Sequence, residues 1–220
     1  LAQGFSCIFW GLLGAILAGT QLVLASKLVP LVEAGLGAGV LAVVAGSWRL
    51  AQVRLTALPA GGSWRGRADW LLVAAGLLAY FCVLFYLWRR APENPYLLAN
   101  ACLFVLALAG YVIVFAHAAA GLGDALGQPT LAAEAWWFNW SNIGLLALLL
   151  GFGGFVWLVA QWRGLPVPLV LALLLGRLDP RGVLVLLLPF SLTLSVAWGA
   201  KNTALELLLA RDPATNQPEP

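Results

Sequence analysis

The chain has 220 residues, of which 62% are apolar and 10% charged, with a formal net charge of +3. The basic residues are scattered at the ends of apolar runs, which excludes a nucleic-acid-binding face. The longest polar stretch, residues 49–69, is too short to bury a core, which excludes a separate soluble domain.

Uncharged runs cover residues 5–26, 71–88, 96–116, 143–162 and 182–200. Each approaches the roughly 20 helical residues that cross a bilayer core of about 30 Å. In lipid every backbone N–H and C=O needs a partner within its own segment, so the fold expected is an all-α transmembrane bundle. Six or seven membrane segments fit within residues 1–211, followed by a polar tail, 212–220, expected to be disordered.

The first run, 5–26, has no basic stretch before it and no A-x-A site with a polar region after it, so it reads as a retained span and not a signal peptide. Its small residues Gly4, Cys7, Gly11, Gly14, Ala18 and Ala25, with the amide of Gln21, recur at three- and four-residue spacing. That is one helix face along which another backbone can approach closely. Gly11, Gly14 and Ala18 are therefore expected against a helix, with Leu12, Leu13 and Ile16 facing lipid. A break at 27–30 follows, because Pro30 restricts Val29 and lacks an N–H. Lys27 and Glu33 flank it and could pair with each other or hold a lipid headgroup.

The second span, 31–48, carries a weaker small stripe of Gly35, Ala38, Ala42 and Ala45. A loop with Arg49, Arg54, Arg65 and Arg67 leads to the third span, 70–88, which stops at Arg89-Arg90-Ala91-Pro92-Glu93-Asn94-Pro95. The fourth span runs from 96 to about 117 and carries Asn100 and His117, read as sharing a face at opposite ends. Cys82 and Cys102 each lie six residues from the shared turn, about 9 Å down the hairpin at 1.5 Å per residue. They are read as packing residues, with a disulfide open only if they face each other.

Residues 121–142 read as a long loop containing a short interfacial helix, 131–140, with Thr130 as N-cap and Glu134 in the first turn. Trp136, Trp137 and Trp140 would place their indoles at headgroup level. The fifth span, 141–162, carries a second small stripe of Ser141, Gly144, Ala147, Gly151 and Gly154. Residues 165–176, with Pro166 and Pro168, are too few for a straight crossing and read as re-entrant or as a thinned span. Asp179 between Arg177 and Arg181 makes a local ion-pair turn, and the last span is 182–200, with Ser191 and Ser195 one turn apart.

The chemistry is mostly negative. His117 is the only histidine, and one His without partner ligands cannot make a protein-only metal site. Asn100, His117, Asn142, Ser191 and Ser195 are the candidate polar contacts, read first as interhelical hydrogen bonds. No Asp or Glu stands mid-span, which argues against ion-coupled transport. No nucleophile–base set or phosphate-binding loop appears. No catalytic residue, metal or cofactor is evident, although the aromatic content leaves pigment or quinone binding open.

Arg49, Arg54, Arg65, Arg67, Arg177 and Arg181 balance Lys27, Arg89, Arg90, Arg163, Lys201 and Arg211 if 165–176 spans, and the count is again six on each side if it is re-entrant, so positive-inside arithmetic sets no orientation; only the density of the four-Arg loop favours that loop as cytoplasmic. Ten Arg against two Lys, with abundant Ala, Gly and Leu, point to a GC-rich bacterial genome and hence the inner membrane. The function expected is a non-catalytic structural or assembly subunit of a larger membrane complex. Its partners would be the bilayer and other membrane subunits, not nucleic acid. A small-solute channel or transporter is the alternative, and a lipid-headgroup enzyme the third reading.

Overall fold

The computed structural model describes residues 1–24, 29–53, 61–91, 94–165, 170 and 180–210. Within these, the side chains of 19–24, 29–31, 61–63, 95, 98, 101, 102, 145, 149, 180–190 and 207–210 lie outside the description. The described chain is helical, with no strand among these residues. Its helices are α1 (Ala2–Leu24), α2 (Val29–Ala51), α3 (Gly61–Arg90), α4 (Pro95–Leu126), α5 (Pro129–Arg163) and α6 (Pro180–Ala210).

Four stretches are long and apolar enough to cross a membrane: Val32–Ala51, Trp64–Arg90, Leu103–Leu126 and Pro129–Arg163. Ala2–Ala18 is a shorter apolar stretch. The chain is therefore a membrane-embedded helical protein with four such helices, and the expected total of six or seven is not reached among the described residues. The expected tail, 212–220, lies outside them, as do residues 166–169 and 171–176 of the short proline-bearing segment.

α1 and α2 form an antiparallel pair with close backbone approach. A Cβ at Gly11 would stand 2.7 Å from the Gly39 carbonyl oxygen, and one at Gly46 would stand 2.7 Å from the Gly4 carbonyl oxygen. Ala18 lies opposite Gly35 further along. The contact stripe on α2 is thus Gly35, Gly39 and Gly46, not the expected Gly35, Ala38, Ala42 and Ala45, because Ala38 and Ala45 are exposed. The expected exposure of Leu12 is also corrected. Leu12 is buried with Phe5 and Ile8 in the main core, since α1 packs on α6 as well as α2.

α3 and α4 pack antiparallel, with Phe85 stacked on Phe104 at one end and Arg67 near Asp124 at the other. The core between the helices holds Trp64, Leu71, Leu78, Tyr111, Phe115 and Leu122. α4 starts where Asn94 caps it: the Tyr96 N–H donates to Asn94 Oδ1 at 3.0 Å, and Pro95 occupies the first turn, where its missing N–H costs nothing.

The expected long loop at 121–142 is absent. α4 continues to Leu126, Gly127 takes a left-handed φ of 66°, and α5 begins at Pro129. The Gln128 N–H donates to the Gly123 carbonyl at 2.9 Å, closing the α4 terminus. Gln128, without a side-chain cap bond, stands at the N-cap, so Thr130 does not cap the helix and Glu134 is not in its first turn. The interfacial helix and the fifth span are one continuous helix of 35 residues.

Candidate functional site

The site is built where the start of α2 meets the end of α3. Both helices carry uninterrupted apolar stretches that end in charge here: Glu33 on α2, Arg89 and Arg90 on α3. Between them lies an outward-facing groove of about 270 Å³. Leu36, Val40, Ala79, Cys82, Val83 and Phe85 supply apolar lining, Gly37 leaves a gap in the α2 wall, and Glu33, Tyr86 and Arg89 stand at the mouth. A Cβ built on Gly37 would meet no heavy atom within 4 Å.

At the mouth, Arg89 Nε stands 3.8 Å from Glu33 Oε1. The pair is charge-matched but longer than a hydrogen bond, so the five guanidinium N–H donors are not used up by it. Glu33 is 13% and Arg89 26% exposed at the side chain, so both heads are partly withdrawn from solvent. Arg90 lies over the Tyr86 ring, 4.7 Å from its centroid, and donates from Nη2 to the Tyr86 hydroxyl. Glu33 thus pairs with Arg89, and the anticipated partner Lys27 lies outside the described residues.

Other polar groups sit inside the bundle. Ser47 donates to the Val43 carbonyl at 2.9 Å and shares a 3.3 Å hydrogen bond with the Tyr111 hydroxyl. Both side chains are fully buried, so this bond ties α2 to α4 across the core. Asn100 is buried and donates to the Tyr96 carbonyl at 2.8 Å, within its own helix. His117 is exposed, so it does not share the Asn100 face: seventeen residues at about 100° each leave the two roughly a quarter-turn apart. Asn142 is buried, 5% exposed, and its side-chain oxygen and nitrogen find no partner among the described residues.

Of the small-residue faces, Gly11 and Ala18 are buried against α2, whereas Gly14 is half-buried with open space where a Cβ would be. The Gln21 side chain lies outside the described residues. Gly144, Ala147, Gly151 and Gly154 are exposed, with open space at each glycine. Trp136, Trp137 and Trp140 are exposed, and Trp136 makes edge-on ring contacts with the other two. Ser191 and Ser195 are both exposed on α6. Cys7 and Cys82 are free thiols, and the Cys102 side chain lies outside the described residues. Among the described residues, no three His, Cys, Asp or Glu side chains stand together in a metal-holding group.

Sequence reasoning missed the α2–α3 groove. Its signal is present, since each helix places a charged residue at the end of an apolar face, but their meeting depends on how α2 and α3 pack. No protein-family model, curated protein or solved structure matches the chain.

Proposed function

We propose that this protein is a non-catalytic structural or assembly subunit of a larger complex in the bacterial inner membrane, with further crossings beyond the four long apolar helices. The observation that carries the reading is α5. Only 12% of its apolar window is buried within the chain, against 39% for α4. Leu148, Leu150, Phe155, Trp157, Leu158 and Trp162 all point away from the bundle. The small residues Gly144, Ala147, Gly151 and Gly154 lie on the same half of the helix and are also exposed. A small-residue stripe interleaved with large apolar side chains suits close approach of another transmembrane helix, since van der Waals packing drives association in lipid.

The test is purification in mild detergent of the wild-type chain and of a Gly151→Leu/Gly154→Leu variant. The reading expects a wild-type complex of defined stoichiometry containing other membrane proteins, and its loss in the variant. Because both glycines face open space, the variant should retain wild-type helicity. A homo-oligomer that conducts small solutes through reconstituted vesicles would instead establish the channel reading.

A further inference from the structure

We propose that the α2–α3 groove is a binding site for one anionic phospholipid, with an acyl chain in the groove and the phosphate held by Arg89 and Arg90. The inference rests on the chain being membrane-embedded and is independent of the subunit role. The first argument is length. The lining runs from Glu33 to Leu41 on α2 and from Ala79 to Arg89 on α3. At 1.5 Å per residue these are about 12 Å and 15 Å, the depth of one leaflet of a roughly 30 Å hydrocarbon core. A transmembrane helix from a partner would need a groove twice as long.

The second argument is charge. Glu33 and Arg89 stand at the start and end of the apolar stretches Val32–Ala51 and Trp64–Arg90, so the mouth lies where headgroups lie. Arg89 and Glu33 line the mouth and offset each other, and Arg90, held over the ring of the lining residue Tyr86, adds a net positive charge beside it. Arg89 is oriented by Glu33 at 3.8 Å and Arg90 by the Tyr86 ring, so neither must be ordered from free solution to meet a phosphate. Guanidinium is the side chain whose fixed fork of donors matches phosphate oxygens. The third argument is shape. The Gly37 gap leaves room on the α2 wall where any other residue would fill the groove.

The full chain in detergent micelles is exposed to phosphatidylglycerol or to phosphatidylcholine with identical acyl chains, and retained lipid is read by native mass spectrometry. The wild type is expected to retain one phosphatidylglycerol in preference to phosphatidylcholine. Arg89→Gln and Arg90→Gln should each cut that preference about fivefold. Glu33→Gln, which removes the competing carboxylate, should raise it. Gly37→Leu should reduce retention of both lipids with helicity unchanged, because it fills open space and replaces a poor helix former with a good one. Equal retention of the two lipids by the wild type overturns the proposal. So does a preference that survives both arginine substitutions, retention unaltered by Gly37→Leu, or a dimer that Gly37→Leu dissociates.

Discussion

Gly11 and Gly39 meet backbone to backbone. A Cβ on either would stand 2.7 Å from the carbonyl oxygen of the other, a distance no real side chain occupies. The obstruction on each side is backbone, which cannot swing aside as a flexible side chain could. Gly11→Ala or Gly39→Ala must therefore push α1 and α2 apart, at a cost of about 1–3 kcal/mol typical of overpacking. Gly14→Ala is the control on the same helix. It meets nothing within 4 Å and should stabilise by about 0.5–1 kcal/mol, through helix propensity alone. Unfolding in SDS, followed by circular dichroism, separates the two. Equal stability of the Gly11 and Gly14 variants would overturn the close-contact account.

That contact shows what the sequence could and could not disclose. The small stripe on α1 was legible because Gly4, Gly11 and Ala18 recur every seven residues between large apolar residues. Its partner stripe was not, because α2 has small residues all round and periodicity alone cannot choose between Ala38–Ala42–Ala45 and Gly39–Gly46. Leu12 was misplaced for a related reason: a helix that packs on two neighbours buries more than one stripe. The α2–α3 groove was illegible, since Glu33 and Arg89 are far apart in the chain and only helix packing brings them together. The all-helical, membrane-embedded class needed none of this, only the uncharged runs.

The Ser47–Tyr111 hydrogen bond is buried and joins two helices, yet it should contribute little. Ser47 retains its bond to the Val43 carbonyl when the phenol is removed. Tyr111→Phe should therefore cost about 0.6 kcal/mol, the average for an interhelical bond in a membrane protein. Tyr111→Ala removes a whole buried ring and should cost about 3–5 kcal/mol. A double-mutant cycle with Ser47→Ala measures the pair directly. A coupling well above 2 kcal/mol would show that the hydroxyls do more than join the helices.

The continuous α5 also sets the depth of its tryptophans. Its 35 residues extend about 52 Å, well beyond a hydrocarbon core of roughly 30 Å. If the uncharged run 143–162 fills the core, Trp136, Trp137 and Trp140 fall within about 10 Å outside it, at headgroup level. Single-Trp variants in bilayers should be quenched by headgroup labels and little by labels at the acyl-chain ends. The reverse pattern would slide α5 inward and contradict the placement.

The α4–α5 turn carries a clear local signal in the sequence. Leu126-Gly127-Gln128-Pro129 puts Gly just past a helix end and Pro just inside the next start, the two positions where each is favoured. The three indoles of Trp136, Trp137 and Trp140 beside a polar stretch resemble an interfacial segment and mask this earlier boundary. In the structure Gly127 has φ 66°, and its N–H donates towards the Asp124 and Gly123 carbonyls. An L-residue in that conformation costs about 1–2 kcal/mol, so Gly127→Ala should destabilise by about that much. Gly127→Asn should cost less, since its side chain tolerates the left-handed region. Gly164 has φ 63° at the far end of α5 and makes the same kind of cap. That end packs little within the chain, so fraying there need not break the bundle, and Gly164→Ala should shift the global unfolding midpoint less. The three variants, compared by SDS titration, test whether the turn at 127 is a structural hinge of the bundle. If Gly127→Ala unfolds like the wild type, the left-handed conformation at 127 does not contribute to the stability of the bundle.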